Sequence, residues 1–157
     1  MSNPRADFSP IFQREPLRLP GGARVAVWVI INMEEWDINE AMARTVLPTP
    51  QGREVIPDIP NFAWFDYGLR VGFWRLKRVL DRRGIKATVS LNASVCLTYP
   101  QVVEESLKSG WELMGHGFIQ RVLNAEPDEG EVIRRSIETI REFSGKAPRG
   151  WMGPGLA

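Results

Sequence analysis

Trp111-Glu112-Leu113-Met114-Gly115-His116-Gly117-Phe118-Ile119-Gln120 reads as a short buried strand that ends in a histidine flanked by glycines. In α/β folds, reactive groups and ligands collect just beyond the carboxyl ends of parallel strands. A glycine on each side lets backbone or ligand come close. His116 is the only histidine in the chain. A lone histidine is equally at home hydrogen-bonded to a loop carbonyl, so its meaning depends on what the neighbouring strand ends carry.

Upstream, residues 24–33 are rich in valine and isoleucine without alternation, the pattern of a strand buried on both faces in a parallel sheet. That strand delivers Glu34 and Glu35 at its end. Residues 36–67 sustain no period of 2 or 3.6, and Pro48, Pro50, Pro57 and Pro60 interrupt them. The aromatic residues Phe62, Trp64, Phe65 and Tyr67 argue against disorder, so this long loop is expected to be a lid or wall over a site, with Trp36 nearest the carboxylates. Leu69, Phe73, Leu76 and Leu80 then recur at spacings of four, three and four, which predicts a helix over residues 68–83 stopped by Gly84. A strand over 85–91 leads to Asn92, and a helix opens near Pro100. Beyond the histidine strand, a helix from about Pro127 ends at Ser144-Gly145, and residues 149–152 begin a fourth strand. Residues 1–22, with four prolines and a terminal Gly21-Gly22, are expected to form an extended arm anchored by Phe8, Ile11, Phe12 and Leu17.

Strand and helix alternate, which makes a parallel sheet or a (β/α) barrel with outer helices. In either, Glu34 and Glu35, Asn92, His116 and the Arg149-Trp151 pair all fall at one rim. Four strand ends carrying polar groups make a stronger case for a shared site than any one of them. Twenty basic against nineteen acidic residues leave a net charge of +1 without a basic run, so neither a nucleic-acid nor a membrane surface is indicated. A small polar ligand fits better. The single Cys96 excludes an internal disulfide, the first residues lack the apolar core of a signal peptide, and the longest apolar run, 25–31, falls far short of the ~20 residues of a membrane span. A cytoplasmic protein is expected.

These motifs resemble the polysaccharide deacetylase family, the NodB homology domain, and within it the branch of metal-independent allantoinase and cyclic imide hydrolases. The resemblance runs from about Arg24 onward. The family's first motif ends a strand in two aspartates, a base and a metal ligand. Here Asn32-Met33-Glu34-Glu35 stands in that place, with glutamates. Its second motif carries two histidines four residues apart. His116 matches the first, whereas Gln120 replaces the second and removes a nitrogen ligand that zinc-like metals favour. The arginine of its third motif corresponds to Arg149.

The resemblance implies a distorted barrel of about seven strand-helix units, (β/α)7, of which residues 23–157 supply the first half. It therefore implies a missing half, from another polypeptide, from a second copy or from further sequence, since an open half-barrel leaves apolar edges uncovered. The implied activity is hydrolysis of a C–N bond in a small cyclic amide, imide or ureide. Glu34 would serve as base, Arg149 would orient it, and His116 would hydrogen-bond the carbonyl or, with Glu35, hold a weakly bound zinc-like metal if there is one. Gln120 and Asn92 would read the substrate's amide edges, and Trp36, Trp64 and Trp151 would pack its ring. A metal-dependent deacetylase of N-acetylated sugars, or a noncatalytic subunit of a barrel enzyme, are the alternatives.

Overall fold

A computed structural model describes residues 7–42, 44–49 and 52–156. Strands β1 (Ile30–Met33), β2 (Thr88–Leu91) and β3 (Glu112–Gly115) form one sheet in the order β1-β2-β3, both pairings parallel. The register sets Met33, Leu91 and Gly115 in one row. The next residue of each chain, Glu34, Asn92 and His116, therefore emerges at the same height. A fourth strand begins beside β3, where Gly115 bridges Trp151 in parallel and its N–H donates to the Gly150 carbonyl at 3.0 Å. The architecture is α/β, part of a (β/α) barrel with helices outside the sheet.

Helix α1 (Ile59–Tyr67) passes through a wider turn at Gly68–Gly72 into α2 (Phe73–Arg82). A single turn, α3 (Val95–Thr98), precedes α4 (Pro100–Lys108), and α5 (Glu129–Ser144) follows β3. Asp128 caps α5 by accepting the Glu131 N–H, and Gly145 closes it in the left-handed conformation. The core is Met33 on β1, Val89 and Leu91 on β2, Leu69, Phe73 and Leu80 of the first helical run, Val103 of α4 and Ile140 of α5. Central β2 is buried at all four positions, as expected of a strand flanked on both sides.

Two expectations need correction. The first strand is short, because its only sheet neighbour among the described residues is β2 and the pairing starts at Ile30 opposite Thr88. Val25, Val27 and Trp28 before it are exposed rather than buried on both faces. The irregular segment ends at Asp58, not at Tyr67. Pro60 sits in the first turn of α1, where it lacks no needed N–H, and the Asp58 carboxylate caps that turn by accepting the Asn61 N–H at 3.2 Å. Helix α1 carries no apolar period because it buries almost nothing: Ile59, Trp64 and Tyr67 face outward, and only Asn61 is buried.

Candidate active site

At the sheet's carboxyl rim the His116 ring is buried, and its Nδ1 lies 2.5 Å from the Met152 carbonyl oxygen. A carbonyl only accepts, so Nδ1 carries a proton, and in the neutral ring Nε2 presents a lone pair. Nε2 is buried with no hydrogen-bond partner, and the group facing it is the Glu34 carboxylate, Oε1 at 3.6 Å. That is too long for a direct hydrogen bond. Glu34 Oε1 also accepts from the Asn32 side-chain amide at 3.2 Å, and a quarter of the Glu34 side chain reaches solvent. The pair is thus fixed from one side and open from the other.

Asn92 ties the three strand ends together. Its Oδ1 accepts the Glu35 N–H at 2.9 Å, while its amide donates to the His116 carbonyl and, at 3.3 Å, to Gln120 Oε1. Fully buried and committed to the protein, Asn92 has no group left for a substrate, which corrects the role expected of it. Gln120 is held twice, by Asn92 through its side-chain oxygen and through its own N–H to the Glu35 carbonyl at 2.8 Å, so its side-chain amide nitrogen stays free to donate. The segment after His116 is pinned by the Ala93 and Ser94 N–H groups, which donate to the Gly117 and Phe118 carbonyls.

Arg149 does not join this group. It is exposed beside a separate hollow with Trp111, Leu113 and Lys146, toward the amino end of β3, because residue 151 pairs with Gly115 and places residue 149 two positions down the strand. Trp64 faces outward from α1, also away from the site. Trp36 stacks on Phe65 with ring centroids 4.9 Å apart beside Glu34 and Glu35. Trp151 covers Gly115, where an added Cβ would lie 2.6 Å from its ring, and Pro154 similarly crowds Gly117 at 2.9 Å. The glycines flanking His116 therefore admit parts of this same chain. Glu35 lines a small cavity of about 30 Å³ with Tyr99 and Asp66, and its Oε2 is buried without a partner.

The family model for polysaccharide deacetylase matches residues 62–157. The chain belongs to the polysaccharide deacetylase family. A putative polysaccharide deacetylase of Schizosaccharomyces pombe is 27% identical, over 84% of this chain and 45% of the relative. Among solved structures, Puue allantoinase overlays with a TM-score of 0.77 at 22% identity, covering 93% of this chain and 53% of its own. A probable polysaccharide deacetylase from Pseudomonas aeruginosa PAO1 overlays at 0.73 with 25% identity, covering 89% and 51%. The chain therefore spans about half the length of the proteins it matches.

For a member of this family the metal question turns on donors. His116 Nε2 and Glu34 Oε1 point at one spot, but Gln120 Oε1 is taken by Asn92 and Glu35 lies toward Tyr99. Among the described residues no three of His, Cys, Asp and Glu gather. A zinc-like ion usually needs at least three protein ligands, so this half of the fold does not by itself fit one. Three further groups at the rim carry no sequence motif. They are the Met152 carbonyl that sets the histidine tautomer, the Arg135 guanidinium 3.5 Å above the Phe118 ring, and Arg121 beside Gln120. Only Arg121, a charge directly following the motif, was open to notice. No helix is long and apolar enough to cross a membrane among the described residues.

Proposed function

We propose that this chain carries the catalytic carboxylate of a hydrolase that opens the C–N bond of a small cyclic amide, imide or ureide. The observation that carries the reading is the pairing of two acceptors, His116 Nε2 and Glu34 Oε1, 3.6 Å apart at the carboxyl rim of a parallel sheet. A water that enters at Glu34 Oε1, on the side where the carboxylate reaches solvent, donates one hydrogen to it and turns a lone pair outward. As that oxygen adds to the carbonyl carbon, Glu34 takes its proton, a step of general-base catalysis that supplies roughly 10²–10⁴ in rate. The carbonyl oxygen becomes negative, and in this reading the Gln120 side-chain amide, whose oxygen is taken by Asn92, donates an N–H to it. When the tetrahedral carbon collapses, the C–N bond breaks and Glu34 returns its proton to the leaving nitrogen. His116 acts as an acceptor here, not as the carbonyl's donor, because its one proton is given to Met152.

Family membership supports a second reading, the same chemistry on the exocyclic amide of an N-acetylated sugar. The walls favour a ring: Trp36 and Phe65 close in beside Glu34. The rest of the barrel belongs to this proposal, from further sequence or a second polypeptide seated on the free edge of β1. A weakly held divalent metal would need donors from that half. A cytoplasmic setting is part of the same reading.

The test is a substrate panel with the complete protein: hydantoin and succinimide against N-acetylglucosamine oligomers, with and without a chelator. Turnover of the rings, surviving chelation, is expected. Release of acetate from the oligomers that stops on chelation selects the deacetylase reading, and hydrolysis of neither marks a noncatalytic subunit.

A further inference from the structure

Beside the candidate site lies a further hollow, of about 150 Å³, walled by Trp36, Asp37, Glu40 and Met42 on one side and Ile119, Gln120 and Arg121 on the other. Trp36 borders both this hollow and the Glu34 site, and on the opposite wall the Gln120 backbone N–H donates to the Glu35 carbonyl. One guanidinium stands in it. Arg121 reaches Glu40 through Nη2 in a close ion pair, and Glu126 through Nη1 at 3.7 Å. The two carboxylates are not equivalent. Glu126 is 15% exposed and holds the guanidinium in place, whereas Glu40 is 55% exposed and sits on an irregular stretch. An exposed pair of this kind is easily exchanged.

We propose that Glu40 occupies the place of a substrate's acidic group, and that Arg121 selects cyclic amides bearing a carboxylate. A guanidinium recognises a carboxylate in a planar two-point fork, and trading one carboxylate for another conserves the local charge. The ring then lies against Trp36 and Gln120, with its carbonyl toward Glu34. No covalent step is involved. This rests on the hydrolase reading above for the identity of the ring, while the charge selection is a property of Arg121 and Glu40 alone.

The probes are hydantoin and hydantoin-5-acetic acid, offered to the complete protein and to its Arg121→Gln and Glu40→Gln variants. Arg121→Gln should lower kcat/KM for the acid on the order of ten to a hundredfold more than for hydantoin, and Glu40→Gln should lower KM for the acid relative to hydantoin. Calorimetric titration of the acid into Glu34→Gln protein, with and without Arg121→Gln, reads binding apart from turnover. Equal losses on both probes overturn the role of Arg121 and leave the hydrolase reading standing. Binding that prefers the acid through Arg121, with no hydrolysis of either probe, sinks the hydrolase reading and keeps this one. Binding of neither probe overturns both.

Discussion

His116 is held at one nitrogen and, buried beside Glu34, has no hydrogen-bond partner at the other. Because the chain has a single histidine, ¹⁵N labelling of histidine gives one unambiguous ring. In its neutral form the Nδ1–H tautomer is expected, and an Nε2–H tautomer would remove the two-acceptor arrangement. Asn92 is the residue on which the rim's geometry hangs. Asn92→Leu strips a partner from the Glu35 N–H, the His116 carbonyl and the Gln120 side chain, at a cost of about 3 kcal/mol in stability, read from the urea midpoint. An unchanged midpoint contradicts the clamp. Burial pushes the Cys96 thiol up to about 12, so at pH 8 only about one thiol in ten thousand is the reactive thiolate. The folded protein should resist thiol reagents until it is denatured. The same shift has a sign for stability: above pH 9 the unfolded chain's thiol ionises first, so rising pH drains stability through this group. Glu34 and His116 were legible in the sequence because each follows the end of an apolar run, and Gln120 because it stands where the resembled second motif carries a histidine. Arg149 was misplaced because the height of a residue on the fourth strand depends on register against Gly115, which no local pattern encodes.

At the scale of elements, helix α1 shows how a breaker can be a starter. Asp58 and Asn61 bind each other, and Asn61 Oδ1 accepts the N–H groups of both Val46 and Leu47 at 2.7 and 2.8 Å, so one buried amide fastens the irregular wall to the first helix. Asn61→Ala should cost about 2 kcal/mol and open residues 44–49 to protease before the rest of the chain unfolds. Uniform resistance to cleavage would show that the wall is held elsewhere. The strand ends were legible from apolar runs bounded by polar residues, and α2, α4 and α5 from their periodicity and punctuation. The start of α1 was not. Its contacts are with a loop rather than the core, so its sequence keeps no apolar face to read. Gly115 is likewise a matter of space: Gly115→Ala would drive a methyl into the Trp151 ring, with a loss of about 1–3 kcal/mol and a displaced His116.

At the scale of the molecule, the sheet ends at β1, whose outer edge is unpaired among the described residues. The approach to that edge exposes Val25, Val27 and Trp28. A groove of about 510 Å³ between Ile31 and Met33 on the strand and Leu69 and Phe73 on the helices runs up to Glu34. Apolar edges of this kind are covered in folded proteins, and whatever covers this one reaches Glu34. Light scattering of the purified chain should therefore give a mass above 17.8 kDa, from self-association or from a co-purified second polypeptide. A well-folded monomer of that mass would contradict the incomplete half-barrel. The most direct test of the chemistry is the steady-state hydrolysis rate of Glu34→Gln protein in its complete form. A loss of roughly 10²–10⁴ in kcat with the fold intact is the expected result, and a rate within threefold of the parent would remove Glu34 from catalysis.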